Sequence, residues 1–154
     1  MRQAFELAIP PAALLMLFLA LMLLVARFLP FAAFELPVQT GLMAVLAGGG
    51  FAIILAGVIS FRRHRTSVDP RDPKVASTLV DSGIFALTRN PMYLGMASML
   101  AGIALGVGNW LALLLVPLFV IWIDRFQIAP EERVLEQAFG EAYRSYCQRT
   151  RRWL

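Results

Sequence analysis

Apolar and polar positions fall into long blocks along this chain, with little short alternation. Residues 8–26 carry no charge and run up against Arg27, and residues 36–61 are also uncharged, ending at Arg62-Arg63-His64-Arg65. A third uncharged stretch runs from Asn90 to Ile123 and stops at Asp124. A membrane-spanning helix needs roughly 20 apolar residues. The first two blocks therefore predict spans at about 8–29 and 36–61. The third is too long for one span, and Gly106-Val107-Gly108-Asn109 breaks it. It predicts a hairpin of two helices, about 91–105 and 110–127, the first of them short and accommodated by tilt or local thinning of the bilayer. Pro10 and Pro11 stand where the first turn of a helix tolerates proline. The first block is too long and leucine-rich for a cleaved signal peptide, and no small-x-small cleavage site follows it.

The polar blocks set the expected topology. The connection 62–89 holds Arg62, Arg63, Arg65, Arg71, Lys74 and Arg89 against Asp69, Asp72 and Asp81, and most of the remaining arginines follow the fourth span. Two hairpins place both basic blocks on one side, which the positive-inside rule makes the cytoplasmic side, with both termini there. Beyond Pro130, Val134, Leu135, Ala138, Phe139, Ala142, Tyr143 and Tyr146 recur at helical spacing opposite Glu136, Glu141, Arg144 and Gln148. This predicts an amphipathic helix over 130–148 that lies on the membrane or caps the hairpins, with Trp153 at the interface. The expected fold is all-α: a single polytopic membrane domain, 1–154, with four transmembrane helices in two hairpins, a cytoplasmic loop at 62–89 and a C-terminal amphipathic helix.

Composition agrees with that class. Of 154 residues, 59% are hydrophobic and 16% charged, where a soluble domain carries about a quarter charged. One cysteine, Cys147, excludes an internal disulfide, and one histidine, His64, leaves too few ligands for a structural zinc. The net charge of +4 sits in loops that flank apolar spans, so the arginines read as topology signals and not as a nucleic-acid surface. Gly48-Gly49-Gly50 permits close helix packing, as does the small-xxx-small spacing of Gly102 and Gly106.

Chemistry concentrates in two polar clusters that the hairpin brings to one face. The first is the segment 79–95, which contains Arg89-Asn90-Pro91-Met92-Tyr93-Leu94-Gly95. Its plain reading is structural: Asn90 as helix cap, Pro91 as first helical residue, Arg89 as a topology charge. That reading leaves Tyr93 and Gly95 unexplained, a hydroxyl and a missing side chain one turn into the helix, where a ligand could approach. The second cluster is Glu131-Glu132. After Pro130 these carboxylates complement a helix dipole, or they bind a cationic ligand or a ribose hydroxyl. Asp124-Arg125 reads as a local ion pair, with Arg125 also able to reach an anionic group. The stretch 79–83 reads as a strand-like or turn segment whose free backbone groups could serve a purine.

In this order, Leu-Val-x-Ser-Gly at 79–83, Phe85, Arg89-Asn90-Pro91-x-Tyr93-x-Gly95, then Glu131-Glu132-x-x-Leu135-x-x-x-Phe139-Gly140-x-x-Tyr143-x-x-Tyr146, the chain resembles the isoprenylcysteine carboxyl methyltransferases and the related phospholipid N-methyltransferases. The resemblance covers about 77–152. It implies an S-adenosylmethionine-dependent methyltransferase embedded in a membrane, bacterial cytoplasmic by expectation. The cofactor would lie at the cytoplasmic ends of the last spans under the C-terminal helix. A lipophilic acceptor would enter laterally from the bilayer lipid, and no metal or nucleic acid is implied. By the same resemblance, Ser77, Thr78, Leu79 and Val80 contact the cofactor through backbone, and Phe85, Asn90, Pro91, Met92, Tyr93 and Glu131 line it. Phe85 stands where the family often has tyrosine, and Asn90 is the form common among the phospholipid-methylating relatives. Arg89 and Glu132 are the catalytic candidates, with Arg125 or Gln127 near the substrate. Prenylcysteine enzymes carry an arginine where this chain has Gln127, which weakens a carboxylate acceptor and leaves a thiol or an amine open. The competing classes are a phospholipid amine N-methyltransferase, an NADPH-dependent sterol-type reductase and a non-catalytic membrane scaffold.

Overall fold

A computed structural model describes Leu7, residues 9–64 and residues 78–154. The described residues form six α-helices: α1 (Pro11–Phe28), α2 (Gln39–Arg63), α3 (Pro91–Val107), α4 (Trp110–Ile123), α5 (Ala129–Phe139) and α6 (Glu141–Arg149). An isolated backbone bridge joins Ala33 to Asn109, and no strand occurs among the described residues. Three helices are long and apolar enough to cross a membrane: Pro11–Phe28, Gln39–Arg63 and a continuous run Trp110–Phe139. Helix α3, at 17 residues, is apolar but shorter.

Helices α2 and α3 pack most closely, and glycine permits it. A Cβ on Gly50 would stand 2.5 Å from the Gly95 carbonyl oxygen and 2.9 Å from the Met99 backbone nitrogen, and one on Gly95 would meet the Gly50 carbonyl oxygen at 2.5 Å. Backbone therefore lies on backbone, and Ser98 Oγ reaches across to the Leu46 carbonyl at 2.9 Å. Of the Gly48-Gly49-Gly50 run only Gly50 makes such a contact; Gly48 and Gly49 face open space. On the other side of α3, Leu14, Phe18 and Met22 of α1 meet Leu100, Ala104, Ala112, Phe119 and Ile123 in the buried core, with the Phe18 and Phe119 rings edge-to-face at 5.4 Å.

The two hairpin turns are tied together at the end of the bundle away from the polar clusters. Asn109 is fully buried, and its side-chain oxygen caps α4 by accepting from the Leu111 and Ala112 amides. Its side-chain nitrogen donates to the Leu29 carbonyl at 3.0 Å. Gln39 similarly links the turn of α2 to the Gly106 carbonyl at 3.0 Å.

Two boundaries differ from expectation. The helix begun at Trp110 does not stop near Pro130. A π-turn, Asp124–Ile128, leads directly into α5 with helical backbone on both sides. The wide turn redistributes the backbone hydrogen bonds just where Pro130 lacks an N–H, so the proline is absorbed instead of ending the helix. Conversely, the helix expected over 130–148 is two helices. Gly140 adopts φ +54° and ψ −120° between α5 and α6, a conformation that a residue with a Cβ rarely reaches.

Because the contact at Gly50 is with backbone, Gly50→Ala should destabilise the protein by about 1–3 kcal/mol. Gly48→Ala should be neutral or stabilising by up to about 1 kcal/mol. Thermal unfolding of both variants in detergent tests the pair; equal midpoints would mean that the α2–α3 approach is not close.

Candidate functional site

Asn90 occupies the cap position of α3, but its side chain makes no capping bond. Its amide nitrogen instead donates 3.0 Å to the carbonyl of Arg152. The same carbonyl accepts from Thr88 Oγ1 at 3.2 Å, and Thr88 Oγ1 accepts from the Asn90 amide N–H. The Arg89 amide donates to the Arg151 carbonyl at 3.0 Å. The segment following α6 is thus laid along the turn that precedes α3.

These ties close one side of a cleft of about 870 Å³, counted to its open mouth. Thr78, Leu79 and Val80 form one wall, with Phe85 from the 3₁₀ turn Gly83–Ala86. Arg89, Asn90, Pro91, Met92 and Tyr93 supply the entry to α3, and Glu131 and Glu132 the start of α5. Five residues not singled out for the site from sequence complete it: Phe61 from α2, Leu135 and Phe139 from α5, Tyr143 and Tyr146 from α6. Four of these belonged to the apolar face expected to lie on the membrane or cap the hairpins; that face walls the cleft. Their signal was the helical spacing together with their places in the motif that carries the resemblance, while Phe61 gave none beyond being the last residue of an apolar span.

Tyr93 and Glu131 are joined directly: the Tyr93 hydroxyl donates to Glu131 Oε1 at 2.5 Å. Deeper in, Tyr146 donates to the Phe85 carbonyl at 2.6 Å, and Phe61 stacks edge-on to Phe85 at 5.0 Å. Burial pushes the Tyr146 phenol above its ordinary pKa. Tyr143 is raised as well, first by burial, then by the Glu132 charge and a hydrogen bond with Cys147. Both therefore stay neutral hydroxyls across the physiological range.

Glu132 is the centre of an ion-pair network. Arg152 Nε and Nη2 grip its two oxygens, the former at 3.1 Å. Arg89 Nη1 lies 3.3 Å from Oε1. The remaining terminal nitrogen of Arg152 donates to both oxygens of Asp124 at 3.1 and 3.2 Å, and Trp153 Nε1 donates to Asp124 at 3.3 Å. The hydrogen bond to Glu132 is the main cause that raises the Arg152 guanidinium above its ordinary pKa. Asp124 is thus paired with Arg152, not with its neighbour Arg125 as expected, and Trp153 is held by that carboxylate. Arg89 Nη1 also donates to Cys147 Sγ, while its Nε is buried with no acceptor among the described residues.

The remaining candidates lie elsewhere. Gln127 is 1% exposed and does not line the cleft; its amide nitrogen donates 2.7 Å to the Ile9 carbonyl, pinning the π-turn to the start of α1. Arg125 is exposed on the same turn and also lies outside the lining. Ser77 falls outside the described residues. His64 is exposed and bonded locally to the Ser60 carbonyl and to Ser82. Among the described residues no group of His, Cys, Asp and Glu could hold a metal ion.

Comparison with known proteins completes the description. A family model described as phospholipid methyltransferase matches residues 38–142, which contain α2 to α5 and most of the cleft. An uncharacterized protein of Haemophilus influenzae is 49% identical over 63 residues, 41% of this chain and the whole of that relative. No solved structure matches the chain.

Removing the Tyr146 hydroxyl should leave the buried Phe85 carbonyl without its donor. We expect Tyr146→Phe to cost about 1–3 kcal/mol of stability, read by thermal unfolding. An unchanged midpoint would show that the hydroxyl does not hold the 3₁₀ turn.

Proposed function

The chain belongs to the phospholipid methyltransferase family, and from that membership we propose that it is an S-adenosylmethionine-dependent membrane methyltransferase acting on a lipophilic acceptor. The observation that carries the reading is the convergence of three separate segments on one cleft. Thr78–Val80, the entry of α3 and the Glu131-Glu132 pair meet there, with Tyr93 bonded across to Glu131.

The cleft suits the cofactor in its donor set. Its walls pair apolar and aromatic surface (Leu79, Val80, Phe85, Met92) with a carboxylate, Glu131, at the edge. Arg89 adds a guanidinium that retains a buried N–H without an acceptor among the described residues. In this reading Ser77 to Val80, Phe85, Asn90, Pro91, Met92, Tyr93 and Glu131 hold the cofactor, and Tyr93 fixes the rotamer of Glu131. When bound, S-adenosylmethionine supplies a methyl group already activated on a sulfonium, so neither metal nor covalent enzyme intermediate is needed. What remains for the protein is alignment and exclusion of water, effects worth up to about 7–11 kcal/mol in ideal cases. Arg89 and Glu132 flank the reacting groups. The oxygens of Glu132 are occupied by guanidinium N–H groups, so it serves by its charge and by holding Arg89. The acceptor enters between Phe61 of α2 and Leu135 and Phe139 of α5, an apolar approach suited to a lipid chain.

In the same reading α3 is a fourth, short span, tilted or in locally thinned bilayer. The chain then forms two hairpins, the cleft faces the cytoplasm beside the basic connection, α5 carries the run of α4 past the membrane surface, and α6, after the break at Gly140, lies over the cleft. The family description also favours a phospholipid amine as acceptor. In that case the departing proton needs an acceptor such as Glu131 or water.

Calorimetry in detergent tests the assignment. S-Adenosylmethionine should bind the wild type, and NADPH should not. Loss of a hydrogen bond to a charged group costs about 1.5–3 kcal/mol, so Glu131→Gln and Tyr93→Ala should weaken binding roughly 10- to 100-fold. Unchanged affinity in both would remove the site. Arg89→Ala should slow methyl transfer to extracted lipid by a similar factor; wild-type rates would return Arg89 to a topology charge.

A further inference from the structure

Arg152 lies outside the cleft lining, yet it touches the elements that form it. Its guanidinium uses all three nitrogens: Nε and Nη2 as a fork on Glu132, and Nη1 on Asp124. Its main-chain carbonyl holds the Asn90 amide and the Thr88 hydroxyl. One residue thereby joins the start of α5, the π-turn and the entry of α3.

We infer that Arg152 is a positioning residue of the cleft, setting Glu132 and, through it, Arg89. This rests on the methyltransferase reading for its catalytic meaning, but its geometric content does not. The physical argument starts from Glu132. A largely buried carboxylate at the foot of an apolar helix bundle must be paired. Arg89 alone meets one oxygen, and Arg89 is also engaged by Cys147. The planar fork of Arg152 fixes both oxygens and hence the plane of the carboxylate, which a point charge would not do. That plane decides which oxygen faces Arg89, and so where the Arg89 guanidinium stands in the lining. Asp124 braces the fork from behind. Tyr93 holds Glu131, so the two carboxylates are oriented by different partners.

The sole cysteine, Cys147, reports on this arrangement without any ligand, because its Sγ contacts Arg89. Arg152→Ala should speed Cys147 labelling by a maleimide several-fold in the detergent-purified protein. It should also weaken S-adenosylmethionine binding roughly 10- to 100-fold, as loss of a charged hydrogen-bond partner implies. Arg152→Lys, which keeps the charge and loses the fork, should recover only part of either effect. Glu132→Gln added to Arg152→Ala should cause little further loss, because the two residues act as a unit. Arg149→Ala, three residues before Arg152, serves as control: it removes an exposed ion pair with Asp81 and should change neither readout.

Labelling of Arg152→Ala at the wild-type rate would overturn the inference. So would full recovery by lysine, or an equal effect from Arg149→Ala. If Arg152→Ala fails to fold, Asp124→Asn weakens the brace, together with the hydrogen bond from Trp153, and wild-type labelling in that variant would count against the inference equally. A wild type that binds no S-adenosylmethionine would end the methyltransferase reading, and the labelling comparison alone would then decide the role of Arg152.

Discussion

A carboxylate held at the foot of an apolar helix bundle has to be paired, and meeting that demand organises this protein. Glu132 draws Arg89 from the connection before α3, Arg152 from the segment after α6, and, through Arg152, Asp124 from the π-turn. Breaking a buried pair by removing one partner leaves an uncompensated charge. The network therefore couples stretches of chain that share no helix. Arg89 and Glu132 of this network line the cleft, and Arg152 and Asp124 brace them from outside it.

The π-turn makes the network geometrically possible. At 3.6 residues per turn, positions eight apart on one α-helix point about 80° away from each other. Asp124 and Glu132 are eight apart, yet both meet the same guanidinium. A π-turn uses more residues per revolution, which turns Glu132 back toward the line of Asp124. The same turn accommodates Pro130 and lets the helix run on from Trp110 to Phe139. A feature that resembles an irregularity of the helix thus aligns two carboxylates.

The glycine contact between α2 and α3 makes the other half of the arrangement. With the two backbones in touch at Gly50 and Gly95, the last turns of α2 run beside the first turn of α3. Phe61 then reaches Phe85, and Gly57 receives Met92. Helices separated by larger side chains would set Phe61 farther from the entry of α3 and widen the cleft. Packing by small residues, a common means of association for apolar helices, here also sets the width of a candidate binding site.

Much of this was legible in the chain because it depends on local or periodic terms. Uncharged runs of sufficient length fixed the apolar helices, since unpaired charge in hydrocarbon is costly. Gly106 to Asn109 marked the hairpin turn, and the two polar clusters flanking one hairpin had to emerge at one end. The cleft residues from Thr78 to Tyr93 and the Glu131-Glu132 pair could be named on that ground and by resemblance. Three things could not. The division of the last helix turned on the backbone of Gly140, and glycine in a helical pattern is compatible with either outcome. The directions of Arg125 and Gln127 depended on which side of a π-turn each one faces, and that turn leaves no periodic trace. Arg152 itself read as one more basic residue in a basic run, because its partners lie 20 and 28 residues earlier. Sequence determines which groups must be buried, paired or exposed; only the tertiary structure decides which distant partner meets the demand, because pairing is a matter of position in space.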